Sequence, residues 1–346
     1  MSRYDLALDQ VADLLSAEPS YRVDQLWEGM YRRFVEPAEL SELSRPLRAH
    51  LASMPEFAPA FSVVEESESD RGATLKWLLA ASDGTRVESV LMGYRRRVTV
   101  CVSSQAGCAM GCGFCATGQS GFVRQLSVGE ITEQVVRAAR EARARGWGRL
   151  DNVVLMGMGE PLSNYANVRA AIGRWNKDMG IGARSITIST VGIVPGILKL
   201  ASDPMQVNLA VSLHAANDEL RSQLVPINRR YPIPALMDAC ETYLERTRRR
   251  LSFEWACIAG VNDRQSDAME LAVLARRLRA HVNLIPLNPT PGYLVAGSTS
   301  QAVARFRDEL TSQGVNVTVR NTRGRGVNGA CGQLAGSPLA LSRRRA

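Results

Sequence analysis

Four of the seven cysteines in this chain of 346 residues fall between positions 101 and 115, and Cys108, Cys112 and Cys115 have the spacing C-x3-C-x2-C. Three thiolates that close together can hold three irons of a 4Fe-4S cube, leaving the fourth iron free to bind a small molecule. A cluster serving only electron transfer or structure would usually take a fourth cysteine. Zinc is the other metal that close cysteines suit. Structural zinc sites, however, usually come as paired C-x2-C knuckles with four ligands, and the sequence has no second pair. The spacing favours iron and sulfur.

An odd number of cysteines in a long chain without export features argues against a disulfide framework and for metal or thiol chemistry. With 45% hydrophobic and 22% charged residues the chain is neither disordered nor fibrous, and is long enough for one large domain plus a small accessory one, each with its own core. No stretch approaches the roughly 18 apolar residues of a membrane span. The start, Met-Ser-Arg-Tyr-Asp-Leu, has no apolar secretory core, so a cytoplasmic protein without membrane attachment is expected. The formal charge of +8 is a weak pointer to a polyanion such as nucleic acid.

The elements that must position the cysteines follow from periodicity. Residues 1–60 carry apolar residues at helical spacing over 9–15 and 21–34, punctuated by Pro37, Pro46 and Pro55, which predicts a small helical domain. Its Arg22, Arg32, Arg33, Arg45 and Arg48 could meet a phosphate backbone, although a solvated helix face accounts for them equally well. Residues 61–93 alternate in short runs around Asp83-Gly84 and read as a β-hairpin linking the helical region to the rest. From 94 to 320, runs at 98–102, 152–156, 185–189, 207–213, 251–258 and 282–286 alternate with helical patterning, as at 132–145 and 267–279. Six β/α units imply a parallel sheet, either a partial barrel or doubly wound, with a helix at 301–312 and a seventh strand at 315–320 completing it. The loops after such strands carry the chemistry, and the cysteine loop follows the first. Residues 321–346 form a tail with Cys331 among glycines and arginines, an unfavourable setting for a core residue. Cys240 and Cys257, in an apolar helix and a strand, suit burial as small hydrophobes.

C-x3-C-x2-C in the loop after the first strand of a six-unit β/α domain resembles the radical S-adenosylmethionine (SAM) enzymes. The longer strings Cys-Val-Ser-Ser-Gln-Ala-Gly-Cys at 101–108, Gly-Met-Gly-Glu-Pro at 157–161, Ile-Ser-Thr-Val-Gly-Ile-Val-Pro at 188–195, Ser-Leu-His-Ala at 212–215, Asn-Leu-Ile-Pro at 283–286 and Ala-Cys-Gly-Gln-Leu at 330–334 resemble the RlmN/Cfr family of RNA methyltransferases. The likeness covers nearly the whole chain, including Tyr-Arg-Val-Asp-Gln-Leu-Trp at 21–27.

The resemblance implies a partial (β/α)6 barrel of the radical SAM type with a small N-terminal helical domain and a connecting β-hairpin. It implies a [4Fe-4S] cluster on Cys108, Cys112 and Cys115, and SAM held by Gly159, Glu160, Ser189, Ser212, Leu213, His214 and Asn288. The family methylates an adenine ring carbon, an electron-poor position that cannot attack the methyl of SAM directly, so radical chemistry is required. One SAM methylates a cysteine, matched here by Cys331. A second SAM, making two per turnover, supplies the radical that activates that methyl group. Cys101 matches the thiol that resolves the resulting protein–RNA adduct, and Glu88 matches the proton acceptor. The implied substrate is adenosine in 23S ribosomal RNA, with transfer RNA as a further class and C2 as the favoured carbon. An electron-donating protein such as flavodoxin is the implied partner, and a monomer is expected.

Asn321 and Asn328 stand where the family commonly has acidic residues, and 92–97 is unusually basic, so C8 methylation or a non-RNA substrate stays open. A non-catalytic iron–sulfur or zinc RNA-binding protein is the reading from another class. Arg320, Arg323 and Arg325 could lower the pKa of Cys331 or meet RNA phosphate.

Overall fold

A computed structural model describes residues 2–320 and 324–335. The N-terminal pattern forms three short helices, α1 (Leu8–Leu14), α2 (Tyr21–Glu28), which runs on through a π-helical turn, and α3 (Arg45–Ser53), whose first turn is capped by the Ser44 hydroxyl accepting from Leu47 N. Next come β1 (Phe61–Ser69), β2 (Thr74–Ala81) and β3 (Arg86–Tyr94). The expected hairpin is therefore a three-stranded antiparallel meander. Its third strand pairs with β4 (Arg97–Cys101), with Val90 opposite Cys101, so these strands extend the barrel sheet. An exposed edge on β4 would leave backbone donors and acceptors unpaired, and β3 covers it.

The chain then forms β5 (Gln105–Gly107), α4 (Ala116–Ser120), β6 (Phe122–Gln125), α5 (Val128–Ala144), β7 (Asn152–Leu155), α6 (Tyr165–Lys177), β8 (Ile186–Thr190), α7 (Val194–Ala201), β9 (Asn208–Ser212), α8 (Asp218–Leu224), α9 (Ile233–Thr247), β10 (Leu251–Cys257), α10 (Gln265–Leu278), β11 (His281–Pro286), α11 (Ser300–Ser312) and β12 (Val317–Val319). The sheet order is β1-β2-β3-β4-β7-β8-β9-β10-β11-β12, and all ladders from β4 to β12 are parallel. Among the described residues β12 pairs only with β11, so the barrel is open, as the partial-barrel expectation has it. The outer helices bury one face of its strands and the other face lines the barrel interior, as Thr187 and Ser189 of β8 do beside the buried Ile186 and Ile188.

One hydrophobic core runs from Tyr4 and Leu26 through Trp77 and Trp175 to Leu334, so the N-terminal helices have no core apart from the barrel's, and a small second cluster packs around Phe114 and Ile258. A helical segment of only about 60 residues buries too little apolar surface to be stable alone, so it shares the core of the barrel. Cys240 and Cys257 are buried, as expected of small hydrophobes.

The periodicity did not reveal the ribbon β5–β6, which embraces the cysteine loop. Its strands are three and four residues long, too short for a period to register. Gly107 makes the ribbon possible: its φ is +70°, and a Cβ there would lie 1.9 Å from the carbonyl oxygen of Gly121. The same carbonyl accepts from Cys108 N at 2.9 Å, so the close approach fixes the first cysteine of the motif. Gly107→Ala is expected to cost at least about 1–2 kcal/mol by backbone conformation alone, and more from the clash. It should also lower the iron bound per chain. Gly84→Ala, with φ +79° and open space around it, should cost only the backbone part. Urea denaturation and iron quantitation on both variants check this.

Candidate active site

The loop after β4 folds on itself before entering α4, with Cys115 N donating to Cys112 O at 3.1 Å. Cys112 is buried, while Cys108 and Cys115 are half-buried. All three line a cavity of about 160 Å³ at the carboxyl ends of the parallel strands. Burial, followed by a contact with Met110 N–H that opposes it, pushes the Cys108 thiol up to about 12. Burial and then the neighbouring Cys115 and Cys108 push Cys112 up as well. Bound iron would reverse this by taking the thiolates as ligands. Among the described residues no three His, Cys, Asp or Glu side chains converge on a single-ion site. A tetrahedral zinc with bonds of about 2.3 Å would need such convergence, whereas in a cube each sulfur takes a different iron. The donor set fits the cube.

The strand ends opposite the cysteines are tied together by buried polar groups. A Cβ on Gly157 would lie 2.7 Å from the Val102 backbone, and one on Gly159, at φ +97°, 2.4 Å from Gln105 Cβ, so only glycine lets these loops meet. Gln105 Oε1 then accepts from Glu160 N at 2.7 Å. The Glu160 carboxylate accepts from Leu162 N at 3.0 Å and Val191 N at 2.8 Å, joining the ends of β7 and β8. Burial pushes Glu160 up to about 7, against these bonds, which favour the ion. Ser189 and Ser212 line the small cavity, and among the described residues their hydroxyls have no protein partner. His214 is buried with φ +59°, and its Nδ1 accepts from Ala256 N at 3.0 Å. Burial holds it neutral, so its proton sits on Nε2 and is available to the cavity that His214 lines.

A second, larger cavity of about 1240 Å³ fills the barrel interior. Cys101 lines it, and Cys331 lines both cavities. The tail is seated by its own backbone: Asn288 Nδ2 donates to Cys331 O at 3.1 Å, Ala116 N to Gly332 O at 2.8 Å, and Thr117 Oγ1 to Leu334 O at 2.5 Å. Glu88 closes the attachment, accepting from Ala335 N at 2.8 Å while pairing with Lys76 at 2.8 Å. Burial raises the Cys331 thiol, and Arg320 opposes it.

The Radical SAM superfamily profile matches residues 102–272. A probable dual-specificity RNA methyltransferase RlmN of Thermobifida fusca is 49% identical, covering 95% of this chain and 92% of its own length. The dual-specificity RNA methyltransferase RlmN 1 of Myxococcus xanthus is 46% identical over 99% of this chain and 96% of its own. The chain belongs to the RlmN family of radical SAM RNA methyltransferases. A crystal structure of a radical SAM methyltransferase from Sphaerobacter thermophilus superimposes with a TM-score of 0.93 at 47% identity, covering 97% of this chain and all of that one. SAM and a 4Fe-4S cluster are the cofactors of this superfamily.

Most of the residues that the RlmN resemblance names meet around the two cavities, and two do not. Leu213, just past the end of β9, is fully buried in the hydrophobic core and does not line the small cavity, whereas its neighbours Ser212 and His214 do. Glu88 is buried on an interior strand rather than exposed on an edge, and it lines neither cavity, since its carboxylate is engaged by Lys76 and the tail. Asn288 lines the small cavity while also holding the tail. Asn321, Arg323 and the Arg325 side chain lie outside the described residues; Asn328 is exposed with φ +50°.

Sequence reasoning missed Arg221. It is fully buried and donates to Val191 O at 2.7 Å, Asn228 Oδ1 at 2.7 Å and Leu213 O at 3.1 Å, a cation placed where Cys112 feels it. In the charged segment 217–221 it reads as a solvated helix face, and no periodic signal separates it from one.

His214 carries a pH dependence. Burial first, then Arg221, lower its pKa from 6.5 to about 3. A folded value below the unfolded one means that this contribution to stability is present above about pH 6.5 and is lost as the pH falls toward 3. Between about pH 7 and pH 5 the loss is about 2 kcal/mol. Urea midpoints of wild type and His214→Gln, compared in the same cluster state, should show a shallower acid loss in the variant.

Proposed function

We propose that this chain methylates a ring carbon of adenosine, C2, in 23S ribosomal RNA and in transfer RNA, through a methyl group carried on Cys331. The observation that carries the reading is that Cys331 lines both the cavity of the three motif cysteines and the one that holds Cys101. A thiol there can receive a methyl group on one side and present it on the other. The larger cavity exceeds the roughly 300–1,000 Å³ of ordinary small-ligand sites, which suits a nucleoside with flanking backbone. The dual specificity in the names of the relatives supports two classes of RNA.

Cys108, Cys112 and Cys115 would hold the cluster, which supplies the electron that cleaves SAM. Ser189, Ser212 and His214 offer donors to SAM in the small cavity, and Gly159 and Glu160 its aminoacyl end a backbone turn and a carboxylate. Two SAM per turnover are needed, one for the methyl of Cys331 and one for its activation. Cys101, buried on the wall of the larger cavity, resolves the thioether link between Cys331 and the ring. Glu88 accepts the ring proton only after the tail releases it from Ala335 N, so we assign it a role that follows a shift of residues 331–335. Leu213 acts through its backbone alone. Electrons come from a flavodoxin-type protein, and the enzyme works as a cytoplasmic monomer; no described helix is long and apolar enough to cross a membrane.

Nucleoside mass spectrometry of ribosomal and transfer RNA, from cells with and without the protein, should show 2-methyladenosine that depends on it. 8-Methyladenosine would move the assignment to C8, and an unchanged profile would sink it. Cys331→Ala should reduce methyl transfer to background while keeping its iron. Cys101→Ala should retain RNA as a covalent adduct, visible as a shifted band on a denaturing gel.

A further inference from the structure

The larger cavity has two ends. Cys101 and Cys331 mark the end at which the strands finish, and the other opens among the residues at which the strands begin. Arg97 starts β4, Arg248, Arg249 and Arg250 precede β10, and Arg279 precedes β11; all five line the cavity. Arg184, just before β8, lines an adjoining hollow of about 460 Å³ with Arg248, Arg249 and Arg250. Five of the six are exposed and Arg249 is half-buried.

Among the described residues none of these six forms an ion pair with a carboxylate. Their neighbour Arg277 does, at 2.8 Å from Asp238 and 2.7 Å from Glu241. Among the arginines of the N-terminal helices Arg33 pairs with Glu42, while Arg22 donates to Glu42 O at 2.5 Å, Arg32 to Lys177 O at 3.1 Å and Arg48 to Ala38 O at 3.4 Å. Six arginines without carboxylate partners therefore gather at the mouth of the barrel, whose lining also holds Glu241 and Glu245.

Backbone geometry adds a second observation. Arg248 and Arg279 close α9 and α10 with φ of +51° and +48°, in the left-handed region where a helix usually ends on glycine. Glycine would relieve that strain, so the two arginines hold these positions at a conformational cost.

We infer that RNA docks on this rim, with its phosphates on Arg97, Arg184, Arg248, Arg249, Arg250 and Arg279. The target adenosine, turned out of its stack, enters the barrel from the start of the strands and reaches Cys101 and Cys331 from the side opposite the cluster cysteines. This rests on the reading that the substrate is RNA. It separates the two reactants physically: SAM occupies the small cavity, RNA fills the large one, and Cys331 stands between them.

A triple variant, Arg248→Gly, Arg250→Ser and Arg279→Gly, tests the inference, since two of its changes suit the backbone they replace. Binding of a 23S ribosomal RNA fragment carrying the target adenosine is measured by fluorescence anisotropy over a range of salt, beside methyl transfer, iron content and thermal unfolding. The expected result is at least about tenfold weaker binding and a salt slope lower by about 2, three contacts at roughly 0.7 each, with iron content and unfolding temperature kept. KM for RNA should rise with it. If the arginines merely cap helices and meet solvent, the triple variant binds and methylates RNA as wild type does, which overturns the docking surface and leaves the methyltransferase reading standing. A wild-type protein that transfers no methyl to RNA overturns that reading and the docking surface with it.

Discussion

The architecture depends on how a chain end is held. Cys331 belongs to no helix or strand, and what seats it between two cavities is a few backbone bonds to Thr117, Ala116 and Asn288. Each such bond contributes about 1 kcal/mol net, so together they define one position without locking it. A tail held this way can present one sulfur first to the small cavity and then to the large one. A disulfide or a strand ladder would fix it on a single side.

The rest of the carboxyl end of the barrel is built the opposite way. Glu160 ties β7 to β8, and Arg221 ties β8 to the ends of β9 and to Asn228. Asn262 bridges His214 O at 2.8 Å and Ala256 O at 2.7 Å, tying β9 to β10. These groups are buried and satisfied, and a buried polar network with every member paired rigidifies its surroundings. Rigid strand ends border the three cysteines, Ser189, Ser212 and His214 around the small cavity. The buried charge of Arg221 also lies where an anionic thiolate cluster would need a counter-charge.

Charge follows the same division. Inside the carboxyl end, the buried Glu160 and Arg221 are each satisfied by hydrogen bonds. At the opposite rim, six arginines have no carboxylate partners among the described residues, which places positive charge at the mouth of the barrel.

The sequence by itself determined the six β/α units, because short apolar or β-branched runs alternate along it with segments of helical period, and both periods are local properties of the chain. The cluster cysteines were legible for a related reason: ligand spacing is a local property of the chain. The ribbon β5–β6 was not legible, since it rests on two glycines approaching across a loop, nor was the pairing of β3 with β4, whose two-residue turn Arg95-Arg96 carries none of the glycine or asparagine that marks a hairpin. Motif likeness named Leu213 and Glu88, but which way a side chain faces, and whether a carboxylate is already engaged, is set by packing just past the end of β9 and by a tail arriving from far along the chain. Arg221 looked like any solvated arginine until α8 packed against the strand ends. The meeting of Cys101 and Cys331 on one cavity, and the gathering of arginines at one rim, belong to the tertiary structure alone, because only closing the barrel brings separate strand ends to one place.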